Sequence, residues 1–198
     1  MKKTTKALAL VLCAMLLVVG SVMGTLAYLT SEAEVTNTFT AGNVRITLQE
    51  REMDVATGKV KTDGALVEKI EGIKILPGRE VEKQPVITVG DTSENCWLFV
   101  KVENGDVAKD ILAKGTFTPS DGWSSVTDRG GWYQYDKQAK ASDQVQVFTK
   151  FTYGNLTNED VTTLTDGSIK ITAYAVQCEG VGINEALEVA IGLSENAN

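Results

Sequence analysis

Cys96-Trp97-Leu98-Phe99-Val100-Lys101-Val102 alternates without a break. Cys96, Leu98, Val100 and Val102 fall on one side and Trp97, Phe99 and Lys101 on the other, the period of two that an extended chain imposes on its side chains. Rich in apolar, β-branched and aromatic residues, the stretch is expected to be a central core strand. Asn104-Gly105 then turns the chain.

Strands are also expected on both sides of it. Downstream, Asp106 to Lys114 reads as a brief helical excursion ended by Gly115. Trp132 to Tyr135, Gln144 to Tyr153 and Ser168 to Gln177 carry further strand patterns, with alternation at Val145, Val147 and Phe151 and at Ile169, Ile171 and Ala173. Gly182 to Gly192 reads as a short C-terminal helix. Upstream, Asn43 to Gln49 turns Val44, Ile46 and Leu48 one way and Arg45, Thr47 and Gln49 the other. Glu50 to Gly72 is charged and turn-rich around short polar strand pieces. After the Pro77-Gly78 turn, Val81 to Val89 is expected as a strand that Pro85 keeps at a sheet edge. About eight to ten short strands with only two brief helical pieces predict an all-β chain, an antiparallel β-sandwich.

The N-terminus is of another kind. A short basic region containing Lys2, Lys3 and Lys6 precedes an uncharged apolar run from Ala7 to Met23, the pattern of an export signal. Small residues at Thr25 and Ala27, just before Tyr28, suit the shallow pockets of a signal peptidase and place the cut after Ala27. Residues 1–27 are then a signal peptide, 28–42 an N-terminal arm and 43–198 the sandwich domain. The uncharged run reaches about Leu29, so an uncleaved anchor is the structural alternative. After cleavage, 171 of the 198 residues remain, enough for one domain with a substantial core. The 19 basic residues fall to sixteen against 26 acidic ones, a net charge of −10. Nucleic acid and anionic membrane surfaces both demand a basic face, so neither is an expected partner, and membrane contact is expected only during export.

Gly24, Thr25, Ala27 and Tyr28 are followed by Asn37, Thr38, Phe39, Ala41 and Gly42 and then by the Val44, Ile46, Leu48 alternation. This arrangement resembles the start of the TasA/camelysin family, secreted proteins of Gram-positive bacteria whose leader is cut by a dedicated SipW-type signal peptidase. The likeness is tight over residues 20 to 50 and loose beyond. It implies a jelly-roll topology for the sandwich, a SipW-type peptidase as processing partner, and a place in the biofilm matrix or at the cell surface. Camelysins have been classed as metallopeptidases, so the resemblance also raises a protease reading.

The residues oppose that reading. The chain has no histidine, which removes the commonest general base and the commonest neutral metal ligand. Asp106 with Asp110, or Asp160 with Asp166, are the kind of carboxylate pairs that an acidic chain yields by chance. Gly122-Trp123-Ser124-Ser125 lacks a nucleophile elbow, and no spacing favours a glycosidase pair. No catalytic residue, metal or cofactor is therefore expected, and the chain reads as a non-enzyme. Cys13 leaves with the leader, while Cys96 and Cys178 remain as a candidate disulfide in an oxidising setting, with two separate buried thiols as the plain alternative. Trp123, Trp132 and Tyr133, with Tyr135, form a candidate ligand surface, although alternation across Trp132 to Tyr135 sends about half of them into the core.

From Leu29 the arm alternates, with Leu29, Ser31, Ala33, Val35, Asn37, Phe39 and Ala41 on one side, and is expected as one extended strand. In TasA-like proteins the segment freed by cleavage adds as a strand to the next subunit. Here Leu29, Val35 and Phe39 are the side chains expected to enter pockets while the main chain fills a sheet edge. A secreted structural protein that self-associates by strand donation is thus the leading expectation. A monomeric surface- or matrix-binding module comes second, and a camelysin-like metallopeptidase third.

Overall fold

A computed structural model describes residues 30–34, 38–40, 43–74, 76–105, 110–164 and 168–196, the first two segments through their main chain. In chain order the strands are β1 (Thr30–Glu34), β2 (Thr38–Thr40), β3 (Ile46–Arg51), β4 (Met53–Asp54), β5 (Lys59–Val60), β6 (Leu66–Val67), β7 (Glu80–Val81) and β8 (Pro85–Val89). They continue with β9 (Cys96–Asn104), β10 (Gly115–Pro119), β11 (Trp123–Ser125), β12 (Trp132–Tyr135), β13 (Gln144–Gln146), β14 (Phe148–Tyr153) and β15 (Ile169–Gln177). Helix α1 (Asn158–Leu164) lies between β14 and β15, and α2 (Ile183–Asn196) follows β15.

These strands form an all-β antiparallel sandwich. One layer is a six-stranded sheet in the order β11-β12-β9-β15-β1-β2. Facing it are a four-stranded sheet, β13-β8-β3-β6, and a three-stranded sheet, β10-β14-β7, while β4 and β5 pair as a separate hairpin. The expected central strand is central: β9 pairs with β15 along its whole length, from Ile169 opposite Asn104 to Gln177 opposite Cys96, and with β12 on its other side. To start β12 against β9, Gly131 adopts φ +79° and accepts a hydrogen bond from the Val102 N–H at 2.8 Å. A Cβ there would lie 2.4 Å from the Val102 carbonyl oxygen, so only glycine fits.

Alternation along β9 and β15 feeds two cores. Cys96, Leu98, Val100 and Val102 pack inward with Ile171, Ala173 and Ala175, meeting Val44 just before β3, Ile46 and Leu48 on it and Ile87 and Val89 on β8. Phe99, Tyr174 and Val176 face the other way and form a second cluster with Trp132 and with Ala186, Leu187, Ala190 and Ile191 of α2. The helix residues recur one turn apart, so they make one apolar stripe. Trp97 Nε1 donates to the Val181 carbonyl at 2.9 Å where the chain enters α2, and Lys101 Nζ donates to Ser194 Oγ at 2.9 Å near its end. The C-terminal helix expected over Gly182 to Gly192 thus exists and runs one turn longer.

Three expectations need correction. Val81 to Val89 is not one edge strand. It is divided between β7 in the three-stranded sheet and β8 in the four-stranded one, where β8 lies between β13 and β3. Pro85 opens β8, a position where its missing donor costs no ladder bond. Gln144 to Tyr153 is likewise divided. Val147, fully buried, donates its N–H to the Pro85 carbonyl at 2.8 Å and accepts from Ser120 N at 2.9 Å, passing the chain from one sheet to the next. The arm, finally, is not one extended strand, because β2 doubles back on β1 with Ser31 opposite Thr40 and Ala33 opposite Thr38. Of the helical stretch expected over Asp106 to Lys114, residues 106–109 lie outside the described residues and Leu112–Lys114 forms a single 3-10 turn.

Helix α1 escapes a reading by hydrophobic period because it is only two turns long. Its signal was Thr157-Asn158-Glu159-Asp160. Thr157 Oγ1 accepts from the Asp160 N–H at 3.1 Å and Asp160 Oδ2 accepts from the Thr157 N–H at 2.9 Å, a reciprocal capping box. The Thr157 N–H, Lys114 at 3.0 Å and the Thr157 hydroxyl, which donates to Asp160 Oδ2 at 2.9 Å, hold the Asp160 carboxyl down to about 2. A lowered folded-state value stabilises the fold above the ordinary carboxylate range, and that contribution is lost as pH falls through the folded value. Asp160→Asn is therefore expected to be less stable than the parent at neutral pH, with the gap closing as pH falls from about 3.8 to about 2. Thermal unfolding of both proteins across that range measures it.

Aromatic packing ties the layers together. The Phe148 ring lies 4.5 Å from Phe117 and meets Tyr133, on the opposite sheet, edge-on at 4.8 Å. Phe117 in turn lies 4.7 Å from Phe151. Phe148→Ala, emptying a fully buried position, is expected to cost about 3–5 kcal/mol in chemical unfolding.

Candidate functional site at the sheet edge

β15 offers two main-chain edges. β9 takes one over its full length, and the other is taken by β1 from Thr172 to Val176. The register sets Ala33 opposite Ala173 and Ser31 opposite Ala175, the β15 positions that face the main core. Glu32 stands opposite Tyr174 and Thr30 opposite Val176, the positions under α2. β1 also lies close to β3 of the facing sheet and to α2. On β15 the inward positions are small, Ala173 and Ala175.

Chemically the site is a strand slot: main-chain groups of β15 on one side, and of β2 on the other, hydrogen-bond to a short segment of sequence Thr-Ser-Glu-Ala-Glu. Of the residues singled out for cleavage and donation, Thr25, Ala27, Tyr28, Leu29 and Val35 lie outside the described residues. Phe39 lies in β2 opposite Glu32, so it is out of step with the Ser31 and Ala33 positions with which alternation had grouped it. Pairing through a reversed strand shifts the phase, which sequence alternation cannot show.

Cys96 and Cys178 are both free thiols. The Cys178 N–H donates to the Asn95 carbonyl at 3.1 Å while Cys96 stands opposite Gln177, so the two cysteines are one residue out of register. Successive residues of a strand point to opposite faces, which sets Cys178 out of phase with the inward-facing Cys96. Burial, with smaller effects of Cys178 and Asp143, pushes the Cys96 thiol up to about 12, and burial also raises Cys178. Non-reduced protein is expected to take up two equivalents of an alkylating reagent on unfolding. In the native state Cys178 should react first, and mass spectrometry reads both results.

The candidate ligand surface is occupied by packing. Trp123 is 7% exposed and sits in the main core against Tyr135, with ring centroids 5.4 Å apart; Trp132 is 6% exposed and packs on Tyr174 beneath α2. Tyr133 is half-buried against the main core, and burial raises its hydroxyl above the usual range. The expected division of Trp132 from Tyr133 and Tyr135 is thus a division between two cores.

Shallow depressions flank Lys150, one of about 300 Å³ reaching Thr57 and Glu82 and one of about 630 Å³ reaching Lys114 and Asn155. Lys150 is paired with Glu80 and Lys114 with Asp160. Asp110 caps the 3-10 turn through the Ala113 N–H and also accepts from Asn104, while Asp106 and Asp166 lie outside the described residues. Among the described residues no group of three or more Cys, Asp or Glu side chains is placed to hold a metal ion, and no helix is long and apolar enough to cross a membrane. No protein-family model matches the chain, and neither a curated protein nor a solved structure matches it.

Proposed function

We propose that this is a secreted structural protein of the biofilm matrix or cell surface of a Gram-positive bacterium, which assembles into fibres by exchanging its N-terminal arm between subunits. The observation that carries this reading is the pairing of β1 with β15. A terminal segment of small and polar residues fills a slot by main-chain bonds, and the arm of a second copy offers the same bonds in the same register. An arm folded on its own domain is then the closed form, and the exchanged arm joins one subunit to the next.

The resemblance to the TasA/camelysin family supports the same reading, and with it a jelly-roll topology and cleavage before Tyr28 by a SipW-type signal peptidase. An uncut leader would tether the arm to the membrane, so assembly would wait on export. Leu29, Val35 and Phe39 add apolar anchors, each worth about 1.5 to 3 kcal/mol when fully buried. Burial of the Trp123 and Trp132 rings weighs against the alternative of a binding module built on them.

Electron microscopy with light scattering tests this on a chain beginning at Tyr28 against one beginning at Asn43. Filaments are expected from the longer chain alone, and their loss is expected when Leu29, Val35 and Phe39 are all replaced by Asp. Two folded monomers would overturn the proposal in favour of a monomeric binding module. In a strain lacking the dedicated peptidase, precursor is expected to accumulate.

A further inference from the structure

We infer that α2 is a clamp on the arm: its docking on the outer face of β15 sets how readily β1 leaves that strand. The same β15 residues serve both. Tyr174 and Val176 are paired through their main chain with Glu32 and Thr30, while their side chains are buried with Phe99, Trp132, Leu187 and Ile191 beneath the helix. α2 itself lies close to β9, β15 and β1, so it spans the joint between the arm and the domain.

A strand at the end of a chain is among the first parts of a fold to open, and the free energy of that opening depends on what holds its neighbour flat. Here the neighbour is held from two sides. β9 fixes one edge of β15, and α2 fixes the outer face over the residues that receive β1. The helix is in turn secured at three points: Trp97 Nε1 on the Val181 carbonyl at its approach, the apolar stripe along its middle, and Lys101 Nζ on Ser194 Oγ near its end. Arg129 adds an exposed ion pair with Glu188 at 3.2 Å. Loosening α2 frees Tyr174 and Val176 to shift, and the pairing with β1 loosens with them. The arm's availability for exchange is then controlled by the helix that follows β15.

This inference rests on arm exchange for its biological meaning, but its test does not. Amide hydrogen exchange is followed in peptides covering residues 30–34, in dilute protein beginning at Tyr28, which keeps every described residue. Leu187→Ala combined with Ile191→Ala is compared with Val145→Ala, a main-core change away from the helix. Trp97→Phe, which removes the bond to Val181 and trims the ring that packs beside it, serves as the milder variant should the double change fail to fold. The arm is expected to exchange about tenfold faster in the double variant, less so in Trp97→Phe, and at the parent rate in Val145→Ala. An arm unchanged in the helix variants, or accelerated equally by Val145→Ala, would overturn the clamp. Filaments are scored separately: faster arm exchange without filaments from any variant leaves the clamp standing and removes the fibre.

Discussion

The pairing of β9 with β15 is the constraint on which the rest depends. Nine residues of each strand are locked in register, and alternation then assigns their apolar side chains to one of two cores. A slip of one residue would turn Leu98, Val100, Ala173 and Ala175 toward α2, and Phe99 and Tyr174 toward the sandwich interior. Neither environment tolerates the exchange. The interior meets a second sheet, whereas the outer face receives a helix whose Ala186 and Ala190 leave room for large rings. Register, layer spacing and helix docking are therefore one condition expressed three times.

What the sequence made legible follows this division. β9, β12 and β15 could be read because they are long or strongly alternating, and because each of their faces is buried in something. The interruptions at Lys83 and at Val147 could not. A change of sheet leaves the side-chain period nearly intact and alters only the main-chain partner, which depends on residues far away such as Ser120 and Pro85. Pro85 illustrates the limit: its lack of a donor excludes many positions, but the first residue of an interior strand is not among them. The arm fails for a related reason. Period two persists through a hairpin, so alternation from Leu29 to Ala41 describes one strand and two equally well, and only the partner fixes the phase of Phe39.

The site divides in the same way. That the arm is extended was visible in its residues; that its slot lies between β15 and β2 was not, because the slot is made of main-chain groups that carry no residue-specific signal. Aromatic residues mislead in the opposite direction. Trp123 and Trp132 are conspicuous in the sequence, yet their size is used to fill two separate cores, and the residues that meet the arm are as plain as Ala173 and Ala175.

Val147 carries a mechanical consequence. One buried residue accepts from Ser120 and donates to Pro85, so adjoining sheets of the same layer are joined through the main chain of a single residue, while the neighbouring Phe148 ring reaches across to Tyr133 in the other layer. A bending motion that opened the layer at this seam would break both hydrogen bonds and withdraw an aromatic ring from its socket at once. The domain has no soft hinge there. A force that pulls this seam apart therefore meets two hydrogen bonds and a ring contact together rather than one after another.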